Sequence, residues 1–500
     1  MNKILYTSEQ VREFDRIAIE DQGVPGITLM RRAADACVSA LKDHWPDSKQ
    51  VTVYCGSGNN AGDGYIVAGI LAEQGYKVLV KVVGKIEGLS PDAKKAREYC
   101  LGTDARVVVF NTEAFNTKDS NQSKGGDADV IVDALLGIGA IGDVSPHFTA
   151  AIEEINGSKK AVLSVDIPSG LNANTGEALG SVVLADITMT FIGLKRGMFT
   201  SDGVHFSGDI LFDDLGVEIA PEKGATLLRY ENLIDQFPPR SRQSHKNDFG
   251  HVLVIGGDSG MGGAVLMTAE AALRAGAGLV SVATHRDHSS TILARCPALM
   301  VTGLSNADQL DAMLKQADVI ILGTGLGQSA WSKEIFSKAL IHIQDERLSA
   351  EKRFVIDADG LNLLAETEIK NSRWVLTPHP GEARRLLRKK VEDRFASIKT
   401  LQEEYGGVVL LKGAGTIIQS QIAQSVCPYG NPGMSTAGMG DVLSGVIGGL
   451  LAQSCPLYFA TQLAVVVHSM AADQCVAENG ERGLLATDLF LEIRRLLNDC

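Results

Sequence analysis

The sequence lacks the hallmarks of several protein classes. Its 500 residues include eight cysteines but no CxxC pair, so the ligand spacing of a structural zinc site is missing. Most cysteines lie in apolar segments, which predicts free thiols in a reduced, cytoplasmic protein. No run of about 20 uncharged apolar residues exists, so we expect no membrane span. The start, MNKILYTSEQVREFDR, becomes charged at once and predicts no signal peptide.

The composition also excludes some partners. The net charge is −13 and no basic stripe stands out, which argues against nucleic acid as the main partner. The net charge does not exclude binding of a phosphorylated metabolite, because that binding depends on one local pocket. A hydrophobic content of 45% and 21% charged residues are ordinary globular values. A chain of 500 residues is too long to fold around a single hydrophobic core, so we expect at least two domains.

The first half predicts an α/β domain with a parallel, Rossmann-like sheet. After a helix at Ser8–Glu20, a strand at Val51–Tyr54 is followed by a glycine loop, Gly56–Gly64. A helix from about Tyr65 to Gln74 and a second strand at Val78–Val83 come next. This βαβ order implies parallel strands.

Two further strands of this half end in a carboxylate followed by glycine. They are Asp129–Asp133, before ALLGIG, and Ala161–Asp166, before IPSGLNANTG. Open α/β sheets bind ligands at the carboxyl ends of their strands, so these loops are candidates for one ligand site or a hard cation. The polar residues of the earlier glycine loop fit the same site, although Asx turns explain them equally well: Asn59, Asn60 and Asp63.

We expect the first domain to span residues 1–215, a boundary segment residues 216–244, and a second domain residues 245–500. The boundary holds several prolines and little periodicity. Beyond it, each apolar strand precedes a glycine or polar turn and then a helical pattern, which indicates a second, mainly parallel α/β domain.

The stretch Asn431–Asp441, NPGMSTAGMGD, is the centre of the predicted second site. A helix starting at about Gly440 would offer free N–H groups and a partial positive charge to a phosphate or oxyanion. Asp441, in its first turn, is either a helix cap or a general base.

Two more loops of this half carry candidate groups with open alternatives. The KGAGT loop, Lys412–Thr416, suits phosphate oxygens, but a hairpin turn with a surface lysine fits as well. His379 lies between two prolines and reads equally well as an ordinary loop residue. Glu382 is predicted to hold a metal-bound water or to cap the next helix. Asp357 and Asp359 fit turn formation too.

These motifs resemble two known families. The second half resembles the ADP-dependent NAD(P)H-hydrate dehydratases, a ribokinase-like branch, through HVLVIGGDSGMGGA, VIDADGLNLLA, TPHPGEARRLL, VLLKGAGTII and GNPGMSTAGMGDVLSGVIGGLLAQ. The first half resembles NAD(P)H-hydrate epimerase domains through CGSGNNAGDGYIVA, VDALLGIGAIGD and SVDIPSGLNANTG. The two resemblances cover nearly the whole chain, in the order of the bifunctional repair enzymes.

The resemblance implies specific site residues. For the epimerase it implies Asp166 as the catalytic and substrate-contacting acid. The other implied substrate positions there are Asn59, Asn60, Ala61, Gly62, Asp63, Gly137, Ile138, Gly139, Ala140, Ile141, Gly142 and Asp143. The implied potassium ligands are Asn60, Asp133 and Ser169. For the dehydratase, the implied hydrate-binding residues are Ala264, Gly327, His379 and the catalytic Asp441. The implied ADP contacts are Lys412, Gly413, Ala414, Gly415, Thr416 and Gly440.

The resemblance also implies a reaction and its cofactors. R and S epimers of hydrated NADH or NADPH (NADHX and NADPHX) would interconvert in the first domain. The second would dehydrate the S form with ADP as co-substrate, giving AMP and phosphate. Mg²⁺ and K⁺ are the implied cofactors and a homo-oligomer the implied assembly, with no membrane or nucleic acid partner.

Some positions depart from the family patterns. Asn247 and Ala61 replace glycines of the HKG and NNGGDG motifs, Thr324 replaces a proline, and Ala34 stands where glycine is frequent. A positive φ at Ala61 would strain its loop. Two alternatives remain open: a ribokinase-type small-molecule kinase with a fused nucleotide-binding domain, or a first half that only senses nucleotides or binds protein.

Overall fold

The computed structural model describes residues 3–110, 128–218 and 223–499. By its internal contacts the chain divides into two compact units, one of Ile4–Ala225 and one of Thr226–Cys500 together with Met1–Lys3. The division falls inside the expected boundary segment, residues 216–244. That segment is not purely a linker, because Ala225–Leu227 forms a strand and Tyr230–Ile234 a short helix.

The first unit is built on a seven-stranded sheet in which every neighbouring pair is parallel, in the order β4-β3-β2-β5-β6-β7-β9. A further parallel pair joins β1 and β8. The strands are β1 (Lys3–Tyr6), β2 (Gln50–Cys55), β3 (Lys77–Val82), β4 (Arg106–Val109), β5 (Val130–Ala134), β6 (Ala161–Val165), β7 (Ile187–Phe191), β8 (Leu194–Lys195) and β9 (Asp209–Asp213). The helices are α1 (Ser8–Arg16), α2 (Gly26–His44), α3 (Asn59–Glu73), α4 (Pro91–Leu101), α5 (Pro146–Ser158) and α6 (Gly203–Phe206).

Helix α3 corrects one expectation from the sequence. The predicted loop Gly56–Gly64 is mostly helical, because α3 begins at Asn59, with Gly58 as its N-cap. Asn and Gly suggested a turn, yet here they form the first turns of a buried helix. Ala61 is therefore helical and has no positive φ. Gly56 must remain glycine, since a Cβ there would lie 1.9 Å from the Leu135 carbonyl oxygen.

The first helix begins at Ser8, as predicted, and its helical residues end at Asp21, one residue beyond the predicted end. Its N-cap is Thr7, whose side chain forms a capping box with Gln10. After Arg16 the helix widens into a π-helical turn at Ile17–Asp21. Single π-helical turns are frequent near functional sites.

The second unit contains the strand order β13-β12-β11-β14-β15-β16-β17-β18-β19-β10. The strands are β10 (Ala225–Leu227), β11 (His251–Ile255), β12 (Leu279–His285), β13 (Met300–Leu304), β14 (Val319–Leu322), β15 (Arg353–Ile356), β16 (Trp374–Leu376), β17 (Val408–Leu411), β18 (Thr416–Gln419) and β19 (Gln424–Cys427). The helices are α7 (Tyr230–Ile234), α8 (Gly262–Arg274), α9 (Ser289–Arg295), α10 (Leu310–Gln316), α11 (Ala330–Gln344), α12 (Glu346–Ser349), α13 (Asp359–Leu364), α14 (Pro380–Leu387), α15 (Arg394–Tyr405), α16 (Met439–Ala452), α17 (Leu457–Asn479) and α18 (Leu489–Leu496).

The second sheet is parallel from β13 to β17 and then changes direction. Strand β18 pairs antiparallel with β17, and β19 pairs antiparallel with β18. The expectation that a helix follows every strand is therefore wrong after β17, where a hairpin follows instead.

Helix α16 lies unusually close to its neighbours because of its glycines. A Cβ on Gly445 would lie 2.2 Å from the Thr268 carbonyl oxygen of α8. A Cβ on Gly448 would lie 2.5 Å from Ile321 of β14. Only glycine permits such an approach. The glycines of the GVIGGL run thus allow α16 to pack closely in the core, which fixes the position of its N-terminus.

Two absences expected from the sequence concern membrane-spanning helices and disulfide bonds. Within residues 3–110, 128–218 and 223–499, no helix combines the length and apolarity needed to cross a bilayer. The seven cysteines in those ranges are all free thiols.

Candidate active sites

The first site is a cavity of about 650 Å³ at the carboxyl ends of β2, β5 and β6. Parallel strands bring these ends together, as the sequence predicts. Ala61 and Gly62 are buried in α3 and do not line the cavity, nor do Ile141, Gly142 and Asp143. The predicted residues that line it are Asn59, Asn60, Asp63, Gly137, Ile138, Gly139, Ala140 and Asp166.

Asp166 holds a strained and well-anchored position in this cavity. It follows β6 with φ of 67°, a left-handed conformation that is rare for a residue with a side chain. Its Oδ1 accepts a short hydrogen bond from the ammonium of Lys195, which is 1% exposed. Lys195 also donates to the Thr190 hydroxyl and the Phe191 carbonyl, both at 2.9 Å. The buried lysine therefore anchors the Asp166 side chain in the cavity.

Two of the three predicted potassium ligands are in direct contact. The Ser169 hydroxyl donates to Asp133 Oδ1 at 2.6 Å, and the Ser164 hydroxyl donates to Oδ2 at 2.9 Å. Asp133 is fully buried, and burial raises its pKa against the opposing effect of the Ser169 hydrogen bonds. Among the described residues no basic side chain pairs with it. Asn60, the third ligand, is buried and lines the cavity, where its Nδ2 has no partner in the described structure.

Sequence reasoning missed four charged residues of this cavity: Arg12, Asp15, Asp92 and Lys195. Lys195 is the last residue of the short strand β8, four residues after β7 ends, so its position near a strand end was an available signal. Asp15 gave no signal, because an acid on an amphipathic helix normally faces solvent.

The second site lies at the carboxyl edge of β11, β14, β15, β16 and β17. These strands are all parallel, so their following loops meet along one edge. At its centre, Lys412 Nζ donates to Asp357 Oδ1 at 2.9 Å. Ser444 Oγ donates to Asp357 Oδ2 at 2.7 Å. Asp357 is thus a buried anion with full hydrogen bonding and not merely a turn former.

Lys412 is shared between acids. Its Nζ also lies 3.9 Å from Glu382 Oε2. Burial lowers the pKa of Lys412, but the charges of Asp357 and Glu382 outweigh burial and raise it overall. Burial likewise raises the pKa of Asp357, yet Lys412 outweighs it and the net direction is downward. The interpretation of Lys412 as a surface lysine is therefore wrong, whereas the hairpin turn after it is real.

Asp441 lies in the first turn of α16, after the left-handed N-cap Gly438, whose φ is 93°. Its carboxylate accepts no hydrogen bond from a residue of the described ranges. Burial raises the pKa of Asp441 to about 7, with Asp357 adding to the effect and Lys412 opposing it. A carboxyl of this kind can accept a proton at neutral pH.

His379 and Glu382 form the N-terminal capping box of α14. His379 Nδ1 accepts from the Gly381 N–H at 2.9 Å, and Glu382 Oε2 accepts from the His379 N–H at 2.8 Å. The capping alternative for Glu382 is thus correct. Burial raises the pKa of Glu382 to about 7, and Lys412 opposes this. His379 is half exposed at the edge of the site.

The KGAGT loop forms the β17–β18 turn and is held from behind. Arg394, which is buried, donates to the carbonyls of Leu411 at 3.0 Å, Lys412 at 3.2 Å and Ala414 at 2.5 Å. These bonds hold the backbone of the loop from the side of α15. Gly440 lies next to this loop, since a Cβ on it would be 3.3 Å from Lys412 Nζ.

The remaining predicted residues occupy neighbouring loops. Ala264 lies in the first turn of α8, and a Cβ on Gly325 would approach the Ala264 Cβ to 2.8 Å. The Gly327 N–H donates to Asp359 Oδ2 at 2.9 Å. Thr324 is fully buried, and its hydroxyl has no partner among the described residues.

Known proteins match both halves of the chain. A family described as NAD(P)H-hydrate dehydratase matches residues 252–495, and one described as YjeF-related protein N-terminus matches residues 26–197. The chain is 44% identical to a bifunctional NAD(P)H-hydrate repair enzyme of Coxiella burnetii, over 99% of each chain. It is 40% identical to the Escherichia coli enzyme of the same description, over 99% of this chain and 94% of the other.

A solved structure supports the fold of the second half. A ribokinase-like superfamily protein from Enterococcus faecalis is 31% identical and superposes with a TM-score of 0.52. It covers 56% of this chain and 98% of its own. Two α/β units with ligand loops at the strand ends, the second of them ribokinase-like, define a two-domain nucleotide-using enzyme. The chain belongs to the family of bifunctional NAD(P)H-hydrate repair enzymes.

Proposed function

We propose that the two units divide one repair process between them. The first unit interconverts the R and S epimers of hydrated NADH or NADPH. The second dehydrates the S epimer to the reduced cofactor while ADP becomes AMP and phosphate. One observation carries this proposal for the second unit: the desolvated carboxyl of Asp441 lies in the first turn of α16, beside the neutralised Lys412–Asp357 pair.

The dehydration needs a better leaving group than hydroxide. The hydrated ring carries a hydroxyl on C6, and phosphorylating it converts hydroxide into phosphate. Asp441 takes the hydroxyl proton while the terminal phosphoryl group of ADP moves to the oxygen. The free N–H groups at the start of α16 stabilise the charge of the transferred group. Phosphate then leaves, and loss of a ring proton restores the dihydronicotinamide.

Lys412 serves this step without acting as a free cation. Its ammonium pairs with Asp357 and lies 3.9 Å from Glu382, so it reduces the negative charge that the ADP phosphates meet. The phosphate contacts themselves come from the N–H groups of Gly413–Thr416 and from Gly440, with Arg394 holding that loop in shape. Ala264, Gly327 and His379 line the neighbouring loops and form the hydrate side of the site.

Magnesium enters with the nucleotide in this proposal. No group of three or more His, Cys, Asp or Glu residues in the described ranges is arranged to hold a metal ion. Mg²⁺ usually binds substrate phosphates with one or two protein carboxylates at most. Its ligands are therefore chiefly phosphate oxygens, and its role is to offset their charge.

For the first unit we propose Asp166 as the base and a potassium site at Asn60, Asp133 and Ser169. The donor set fits a hard monovalent cation, because it consists of carboxylate, hydroxyl and amide oxygens. Asp133 supports the site most strongly: a fully buried carboxylate without a basic partner in the described residues calls for a compensating cation. Asn60 lies next to the loop after β5, since a Cβ on Gly137 would be 3.3 Å from the Asn60 Cβ.

The test is recovery of reduced cofactor from a mixture of both NADHX epimers with the protein, ADP and Mg²⁺. Near-ultraviolet absorbance follows the reduced nicotinamide. Full recovery supports both activities. Recovery of the S share alone, beyond spontaneous epimerisation, contradicts the epimerase assignment. No recovery with ADP or ATP contradicts the dehydratase assignment and favours a small-molecule kinase.

A further inference from the structure

The C6 carbon of the hydrated ring is bonded to both a hydroxyl and the ring nitrogen, so it is a hemiaminal. Inverting such a centre by ring opening requires two proton transfers. A base takes the hydroxyl proton, and an acid delivers a proton to N1 as the C6–N1 bond breaks. Asp166 provides the base in the proposed function, on which this inference rests. The proposed function assigns no residue as the acid that protonates N1.

The cavity of the first unit holds two other carboxyl groups. Asp15 comes from α1 and Asp63 from the first turns of α3, and both line the cavity with Asp166. Asp15 projects from the same face of the first helical segment as Val11, Arg12 and Ile19, which also line the cavity. This face borders the ligand space, and Arg12 and Ile19 on it are also exposed to solvent.

The partners of these carboxyls differ. Lys195 holds Asp166 through Oδ1, while Oδ2 accepts no hydrogen bond from a described residue. Asp15 has neither a hydrogen bond nor an ion pair within the described ranges. A second feature points to a ligand in the same space. Asn60, 7% exposed and lining the cavity, has an Nδ2 with no hydrogen-bond partner there.

We propose that Asp15 is the general acid of the epimerisation, paired with Asp166 as the general base. Asp166 takes the C6 hydroxyl proton, and a C6=O double bond forms as the C6–N1 electron pair moves to nitrogen. N1 takes the Asp15 proton. After rotation about C5–C6, N1 attacks the other face of the aldehyde and returns its proton to Asp15. Asp166 gives its proton to the oxygen, so both residues end as they began.

Asp63 is a poorer choice for this role. Burial raises the pKa of Asp63 well above its ordinary value, and the charge of Asp166 adds to this. A group that stays protonated cannot readily give up its proton. Burial also raises the pKa of Asp15, to about 6, with Asp166 adding to the effect and Lys195 opposing it. A proton donor of this strength can be reloaded near neutral pH, which is the best case for general acid catalysis.

The pH dependence follows from the groups that face this pair. The charges of Asp166 and Lys195 act on Asp15, and Arg12, Asp63 and Asp92 line the same cavity. Burial raises the pKa of the Cys37 thiol, which stays neutral. Asp15 must be protonated to act as the acid. The epimerisation rate is therefore expected to fall as pH rises through the Asp15 pKa.

The experiment follows conversion of pure R-NADHX to the S epimer by chiral chromatography, without ADP so that dehydration is silent. Asp15→Asn is expected to slow kcat by roughly 100-fold or more, the usual size of general acid catalysis. Its KM should stay within about threefold, since the lost interaction belongs to the transition state. The basic limb of the pH profile should disappear. Asp15→Glu should restore part of the rate.

Two controls make the result decisive. Asp21→Asn removes the same charge from the exposed part of this helical segment, where Asp21 is 59% exposed, and should epimerise like the wild type. Dehydratase activity of each variant with S-NADHX and ADP reports the intact second unit, and circular dichroism reports the fold. A wild-type rate and pH profile for Asp15→Asn would overturn the role of Asp15. Absence of epimerisation by the wild type would instead overturn the proposed function.

Discussion

Replacing Asp441 by Asn is expected to remove dehydration while making the second unit more stable. As the general base, Asp441 should contribute about 10²–10⁴ in kcat, so dehydration of S-NADHX should fall by that factor. Epimerisation, measured in the same chain, should not change. The stability effect follows from burial, which raises the Asp441 pKa from 3.8 to about 7.

The direction and the size of the change in the free energy of unfolding both follow from the raised pKa of Asp441. A carboxyl with a raised folded-state pKa contributes stability that is present below its unfolded pKa and is lost as pH rises to the folded value. Between pH 3.8 and about 7 the loss reaches on the order of 4 kcal/mol, at 1.36 kcal/mol per pKa unit. Asn does not ionise and avoids this loss. Removing a negative charge from a helix N-terminus costs about 0.3–1 kcal/mol in return.

At pH 5 the folded carboxyl is still protonated, so the expected gain for Asp441→Asn is between about 1 and 2 kcal/mol. At pH 8 the lost helix-terminal charge reduces the gain to about 3 kcal/mol. Calorimetric unfolding at a series of pH values, with the transition of the second unit resolved, measures it. Asp308→Asn, at a side chain that is 89% exposed, is the control and should change stability by less than about 0.5 kcal/mol. A stability change that is flat with pH, or negative, would refute the desolvation argument and favour a simple helix cap.

Three further predictions concern neighbouring residues. Lys412→Met leaves Asp357 charged, buried and unpaired, so the second unit should lose about 3–5 kcal/mol in denaturant unfolding; a loss below about 1 kcal/mol would contradict the pairing. Arg394→Lys cannot make the same three-way contact with the loop carbonyls, so the KM for ADP should rise roughly tenfold at similar stability; an unchanged KM would contradict the loop-holding role. Asn60→Ala should raise the K⁺ concentration for half-maximal epimerisation by about 10-fold or more; an equal rate of wild-type enzyme without K⁺ would contradict the cation site.

Much of both sites follows from the positions of strand ends in the sequence. Buried strands followed by glycine and an acid predict where parallel strands end, and Asp166, Asp357 and Lys412 do lie at such ends. The motif that precedes α16 also predicts its helix start to within one residue, because glycines directly before an apolar run are typical of a loop that ends in a helix.

Other features depended on contacts that no local pattern encodes. Asn59 and Asn60 favour turns in isolation, yet tertiary packing of α3 against the sheet makes them helical. Asp15 looked like a solvent-facing acid because the sequence does not reveal that the polar face of α1 covers a cavity. The pairing of Lys412 with Asp357 joins residues 55 positions apart, so the burial of that lysine could not be inferred from its loop.

Strained backbone marks both sites as well. Asp166 and Ala358, which follows Asp357, both have positive φ, at 67° and 48°. An Asp or an Ala in the sequence does not by itself predict a positive φ, whereas a glycine often does. Asp166 is itself a carboxylate of the proposed chemistry, and Ala358 directly follows the buried carboxylate of Asp357. Backbone strain is most often retained at such functional positions.

The central claim is that two independent activities on one chain act in sequence. It is tested most directly by mixing two inactive variants, Asp166→Asn and Asp441→Asn, with both NADHX epimers, ADP and Mg²⁺. Alone, and within a time too short for spontaneous epimerisation, the first should recover only the S share of reduced cofactor and the second almost none. Together they should restore full recovery, because one supplies the S epimer that the other dehydrates. Incomplete recovery by the mixture, or full recovery by either variant alone, would contradict the account.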